Sequence, residues 1–236
     1  MGPAESSHSP LIITIDGPAG AGKTTVSKTL ARRLGYRYID TGALYRGVAI
    51  AVEQAGIDPD DSNALADLCR RTHLDFIVFS DELRLTLNGQ DISEQIRSPR
   101  ISMLASAISA KPLVRDFLMG IQRSLGGAGN AVLEGRDMGT VVFPGADIKF
   151  FLSADTGIRA RRRFEELKAK QAPDLDLVTV ERDIIKRDRD DSTRKVAPLK
   201  PADDAVHIDS TRMTIDDVVA VMLDTIRAKS SNDSAD

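Results

Sequence analysis

One cysteine, Cys69, stands in 236 residues, so no internal disulfide can staple the chain, and a packed thiol in a reducing compartment is the simplest reading. Histidine is equally scarce. His8, His73 and His207 fit no metal-ligand spacing, and the last two sit beside strand-like runs as structural residues. There is no Ser–His–Asp or Cys–His arrangement to support nucleophilic catalysis. No run approaches about 20 apolar residues, which excludes a helical membrane span. The polar opening, residues 1–10, lacks the apolar core of a secretory signal. Net charge is only −3, too weak a field to gather nucleic acid or an anionic membrane, so any anion-binding basicity must be local. A cytoplasmic protein with no nucleic-acid or membrane partner is expected.

What remains is an ordinary globular composition, 42% hydrophobic and 28% charged, in a chain long enough to bury a sizeable core. Residues 1–10 and 229–236 read as flexible tails around a single domain, 11–228. Within it, β-type runs at 11–16, 36–40, 131–134, 147–152 and 205–209 alternate with helical patterns. That order predicts an α/β fold, a parallel sheet flanked by helices. Ligands then sit beyond the strands' carboxyl ends, so Asp40, Glu134, Ser153 and Asp209 mark the working edge. One segment breaks the alternation. Period-2 patterning at 73–79 and 83–92, with turns at Ser80-Asp81-Glu82 and Asn88-Gly89, predicts a small antiparallel unit inserted at about 67–100. It is a candidate flap over the substrate, or a plain edge ribbon.

The strongest signal is Gly17-Pro18-Ala19-Gly20-Ala21-Gly22-Lys23-Thr24, a full G-x-x-x-x-G-K-[ST] pattern between a β-branched run and a helical one. Glycines let successive N–H groups turn inward around phosphate oxygens, and the following helix adds the positive end of its dipole. Lys23 would reach the β- and γ-phosphates and the Thr24 hydroxyl would ligate Mg²⁺. The pattern implies a nucleoside triphosphate, but GTPases, motors and small-molecule kinases share it. No Asn-Lys-x-Asp motif reads guanine here.

Four arginine groups narrow the choice. In Asp40-Thr41-Gly42-Ala43-Leu44-Tyr45-Arg46, Thr41 looks like a helix N-cap, and Arg46 one turn on could hold a second phosphate; an ordinary capped helix reads the same way. In Glu134-Gly135-Arg136-Asp137, Arg136 can fork onto phosphate and Asp137 can accept from an amino group, or the two can pair locally. Arg159, Arg161, Arg162 and Arg163 crowd one helix start, either as a lid over the triphosphate or as a solvated basic face. The alternating Arg and Asp of 186–194 read by themselves as a surface helix.

Taken together, residues 13–23, 40–46, 135–144 and 189–199 resemble the bacterial cytidylate kinases of the long form, over about 11–228. The resemblance implies the P-loop nucleoside monophosphate kinase fold and phosphoryl transfer from ATP to CMP or dCMP. It places Gly17, Pro18, Ala19, Gly20, Ala21, Gly22, Lys23, Thr24 and Thr25 around ATP, with Arg159 and Arg163 in a lid at about 156–176. It puts Thr41, Arg46 and Arg136 on the acceptor phosphate with Tyr45 beside the nucleotide. Ser106, Arg115 and Asp137 would read cytosine, Arg187 and Asp191 the sugar, and Arg194 a phosphate. This moves 186–194 from surface helix to substrate site. Lys23, Arg136, Arg163 and Arg194 would stabilise the transferring group. Cytosine's amine suits a carboxylate, whereas uracil's carbonyl would be repelled by one. No Walker-B carboxylate stands out, leaving Mg²⁺ to Thr24, phosphates and water. A monomer is expected. Rival readings are a kinase for UMP or shikimate, or a non-catalytic nucleotide sensor.

Overall fold

A computed structural model describes residues 10–79, 82–169 and 176–232. Strand β1 (Ile12–Asp16) leads through the glycine-rich loop into α1 (Lys23–Leu34), followed by β2 (Arg37–Asp40), α2 (Thr41–Ala55) and α3 (Ser62–Arg71). Three short strands come next: β3 (Leu74–Phe79), β4 (Glu82–Leu87) and β5 (Gln90–Asp91). The chain returns through α4 (Pro99–Ile108) and α5 (Pro112–Gly126) to β6 (Ala131–Gly135) and β7 (Ile148–Ser153). Helices α6 (Thr156–Ala169) and α7 (Leu177–Thr193), strand β8 (Val206–Asp209) and α8 (Ile215–Asn232) complete it.

The main sheet has the order β2–β6–β1–β7–β8 and every pair in it is parallel. Helices on both faces explain why its inner strands read as unbroken apolar runs rather than alternating ones. Ile13, Ile15, Val132, Phe150 and Leu152 pack with Val26 and Leu30 of α1 and Val219 and Met222 of α8. The register aligns Asp16 with Gly135 and Asp40 with Glu134, so the polar ends of three strands meet at one edge. Four strands start one residue later than the pattern suggests. Tyr36 instead donates its amide to Ala31 at the end of α1, and Asp147 accepts from the Ile12 amide at 2.7 Å.

The antiparallel unit joins β3, β4 and β5 in that order. Asn88 and Gly89 both take positive φ, 51° and 84°, the signature of a type I′ hairpin turn. Leu74, Leu85 and Leu87 share a core with Leu44, Val48 and Val52 of α2 and with Cys69, which is buried. The unit is therefore seated on α2. Ser80 and Asp81 of its first turn lie outside the described residues, as do residues 1–9 of the expected tail and 170–175 of the expected lid. At the other end α8 continues past residue 228 to Asn232, where a tail was expected. Lys229 there donates to the Asp147 carbonyl, tying the last turn to the start of β7.

Two glycines fix the loop that follows β1. Gly17 has φ 151°, and a Cβ there would lie 2.0 Å from the Leu152 carbonyl oxygen, so no side chain fits between the loop and β7. Gly22 has φ 91° and occupies the N-cap of α1, a left-handed position that costs glycine nothing.

Candidate active site

No side chain caps α1, so its first amides are left for an anion, with the helix dipole behind them. Lys23 is buried beneath the same loop and donates to the Gly17 and Pro18 carbonyls at 2.8 and 2.7 Å. Burial, and then the neighbouring Arg136, push its ammonium well below the usual lysine range. A positively charged group held in so dry a place has much to gain from a polyphosphate.

Next to the loop, the Thr24 hydroxyl donates to Glu134 Oε1 at 2.8 Å, and the Tyr38 hydroxyl donates to the same oxygen at 2.6 Å. Glu134 Oε2 is buried without a hydrogen-bond partner. Burial first, and Asp40 second, raise the Glu134 carboxyl. Here the sequence reading needs a correction: a carboxylate does stand beside Thr24. Its signal was the buried run Ala131-Val132-Leu133 ending on an acid at the sheet's working edge.

Asp16 lies at the same edge, buried, and accepts from the Met138 and Gly139 amides at 2.9 and 2.8 Å. Burial outweighs those two bonds and raises its carboxyl to about 6. Its unfolded value is lower, near 3.8, so between those limits the folded state holds a proton that the unfolded state has released. Stability therefore falls as pH rises from about 4 to about 6, by on the order of 3 kcal/mol from this group. Melting curves of the parent and Asp16→Asn across that range check this. The parent should lose ground against the variant as pH rises, and a constant offset would contradict it.

The acceptor side starts at α2. Asp40, not Thr41, is its N-cap: the Asp40 carboxylate accepts from the Ala43 amide at 3.1 Å and pairs with Arg46 at 2.6 Å. Thr41 is already helical, and its hydroxyl donates to the Glu134 carbonyl at 2.6 Å. Beyond β6, Arg136 donates to Asp191 at 2.9 Å, with Arg187 3.9 Å and Arg194 4.0 Å from the same carboxylate. Burial alone would raise Asp191, but Arg136 and Arg187 outweigh it and hold the carboxyl low. Burial, reinforced by Arg136, brings Arg187 down to about 9. Three guanidinium groups around one carboxylate leave a surplus of positive charge. Such a surplus suits an anionic ligand.

Deeper in, Asp137 pairs with Arg115, and Arg194 reaches its other oxygen at 3.3 Å. Burial outweighs both arginines and raises the Asp137 carboxyl. The Ser106 hydroxyl is buried without a partner, and the Arg115 guanidinium lies 5.7 Å from the Tyr45 ring centre. Each Asp137 oxygen keeps acceptor capacity beyond its arginine.

These parts line one cleft of about 970 Å³. The loop residues Ala19, Gly20, Ala21, Gly22, Lys23, Thr24 and Thr25 line it, as do Thr41, Tyr45, Arg46, Ser106, Arg136, Asp137, Arg163, Arg187, Asp191 and Arg194. Gly17 and Pro18 stand behind, holding Lys23, and Arg115 reaches the cleft through Asp137 and Ser109, both of which line it. Arg159 departs from expectation. It does not line the cleft, because its guanidinium is buried among Ala154, Thr156, Ala19 and Asp188. The neighbouring Arg162 lines it instead and donates to the Ser210 carbonyl at 2.8 Å. Position along the helix decided this: Arg159 shares a face with Arg162 and Arg163 but lies one turn earlier, packed against Ala19 and Gly20. A run of four arginines in five positions does not show which turn meets the loop. Among the described residues, no helix is long and apolar enough to cross a membrane.

The family model for cytidylate kinase matches residues 13–228. The cytidylate kinase of Geobacter sulfurreducens is 51% identical over 93% of this chain and 94% of that protein. That of Syntrophotalea carbinolica is 50% identical over 92% of each. Among solved structures, shikimate kinase from Acinetobacter baumannii in complex with shikimate covers 96% of this chain and 98% of its own, with a TM-score of 0.50 at 15% identity. That likeness concerns the fold alone, whereas the sequence match extends across the loop, the sheet edge and the arginine cluster. The chain belongs to the cytidylate kinase family, enzymes that phosphorylate CMP and dCMP with ATP.

Proposed function

We propose that the loop end of the cleft takes Mg²⁺·ATP and the arginine end takes CMP or dCMP, with the γ-phosphoryl group passing between them. The observation that carries this is the meeting of Lys23 and Thr24 with Arg136, Arg187, Asp191 and Arg194 in one cleft. Arg46, Thr41 and Arg136 hold the acceptor phosphate, and Tyr45 sits beside the nucleotide. Arg187 and Asp191 bind the sugar. Asp137 accepts from the cytosine amine, and Ser106, whose buried hydroxyl has no other partner, donates to a ring acceptor. Arg115 acts by fixing Asp137. Arg163 faces the transferring phosphate, and Arg162 joins it in place of Arg159.

The residues present fit a divalent ion. The Thr24 hydroxyl can keep its proton on Glu134 while offering a lone pair outward, and the unpartnered Glu134 oxygen can accept from a metal-bound water. When bound, Mg²⁺ supplies charge neutralisation across the phosphates. The acceptor is a phosphate oxygen, anionic at pH 7, so no general base is required; Lys23 and the arginines hold two like-charged substrates in line. The small antiparallel unit contributes Phe76, Leu83 and Leu85 to the cleft wall, apolar surface suited to excluding water. The working form is a cytoplasmic monomer.

A coupled ADP-release assay with CMP, dCMP, UMP, AMP and shikimate tests the reading. Turnover should be largest with CMP and dCMP. Equal rates with UMP or shikimate would remove the cytosine-reading roles, and no turnover from folded protein would remove the whole assignment.

A further inference from the structure

Two charged residues sit against the phosphate loop from below and take no part in the roles above. Asp188 of α7 accepts from the Ala19 amide at 3.3 Å, and Arg159 of α6 donates to the Ala19 carbonyl at 3.0 Å. The two side chains also pair with each other through Asp188 Oδ2. Both backbone polar groups of one loop residue, Ala19, are therefore held by a single ion pair that bridges two helices. The remaining donors of Arg159 go to the Ala154 carbonyl at 2.9 Å and the Thr156 hydroxyl at 2.8 Å. Its backbone closes against the loop too, since a Cβ on Gly20 would meet the Arg159 carbonyl at 2.8 Å.

A pair with one buried and one partly exposed partner contributes little net stability, because desolvation of the Arg159 guanidinium offsets much of the attraction. What it does fix is position. Asp188 follows Arg187 and precedes Asp191 by one helical turn, and Asp191 is the carboxylate that gathers Arg136, Arg187 and Arg194. A rigid helix thus carries, on adjacent turns, the grip on the ATP loop and the anchor of the acceptor-site arginines. Helices α6 and α7 are joined by their own small core of Ala160, Leu167, Val180 and Ile184.

We propose that Asp188 and Arg159 are positioning residues that couple nucleotide occupancy of the phosphate loop to the geometry of the CMP site through α7. Polyphosphate drawn into the loop orients the backbone on either side of Ala19, the pair transmits that orientation to α7, and Asp191 with its arginines is set for the second substrate. The coupling is reciprocal, so CMP tightens the ATP site by the same factor. The inference rests on the assignment of ATP to the loop and CMP to the arginine cluster.

Calorimetric titration of CMP, with and without a saturating non-hydrolysable ATP analogue, tests it. In the parent protein the analogue should tighten CMP by roughly fivefold or more, and Asp188→Asn should reduce that factor to within about twofold of one. CMP binding without the analogue should stay within about threefold of the parent, since Asp188 does not line the cleft. Asp188→Glu, which keeps the charge, should restore part of the coupling. An unchanged coupling factor in Asp188→Asn, or a parent factor of one, overturns the proposal. So does an equal loss of CMP affinity with and without the analogue, which would make the pair mere scaffolding. Should Asp188→Asn fail to fold by circular dichroism, Arg159→Lys carries the same comparison, keeping the charge but losing the fork. Failure of the underlying assignment looks different: Lys23→Ala would then bind the analogue as well as the parent does.

Discussion

Lys23→Ala is expected to lower turnover by roughly a hundredfold or more, the scale of a single well-placed electrostatic contact in a water-poor site. The reason lies in where the ammonium is kept. It is buried, it donates only to the Gly17 and Pro18 carbonyls, and its surroundings disfavour its charge until an anion arrives. An added γ-phosphate whose charge spreads during transfer interacts with it more strongly than the ground state does, so the loss should fall on turnover rather than on KM for CMP. Alanine also leaves two loop carbonyls without a donor, a cost of about 1–3 kcal/mol for each group that water cannot reach. A melting curve beside the ADP-release assay separates the two effects. Turnover close to the parent's, in folded protein, would remove Lys23 from the chemistry.

The loop was legible because its function is written in local backbone requirements. Gly17 and Gly22 are demanded by φ values and by a carbonyl 2.0 Å from a would-be Cβ, and such demands leave a fixed spacing in the chain. The central sheet was legible because strands buried on both faces must be apolar throughout. What the sequence concealed were relations between distant segments. Glu134 meets Thr24 across 110 positions, and Asp188 meets Ala19 across 169. Glu134 shows locally only as an acid ending an apolar run, and nothing local marks Asp188 as different from its neighbours. The N-cap of α2 was misplaced by one residue because Asp40 and Thr41 are both good caps; only the strand's end decided that Asp40 takes the extended conformation. The place of Arg159 behind the cleft was hidden for a related reason. A run of arginines shows that a helix is basic, but the packing of α6 on the loop determines which of them is buried.

The second large effect is expected at Arg115 and Asp137, where stability and specificity can be pulled apart. Both side chains are 3% exposed, so removing one partner leaves the other's charge in the interior with little solvent to screen it. Arg115→Ala should cost about 3 kcal/mol, the low end of the range for breaking a buried pair, because Arg194 still reaches the other Asp137 oxygen. Urea unfolding without nucleotide measures this, and a loss below about 1 kcal/mol would show the pair to be solvated. The same substitution frees Asp137 to rotate, so the preference for CMP over UMP should weaken. Asp137→Ala should weaken that preference further, by removing the carboxylate proposed to favour the cytosine amine and oppose the uracil carbonyl. An unaltered CMP-to-UMP ratio in Asp137→Ala would take it out of base reading. Replacing both partners by apolar residues of similar volume, Arg115→Met with Asp137→Leu, should recover much of the lost stability while leaving discrimination low. That combination decides between the two roles, because a purely structural pair would regain both together, whereas a pair retained to read the base would regain only the fold.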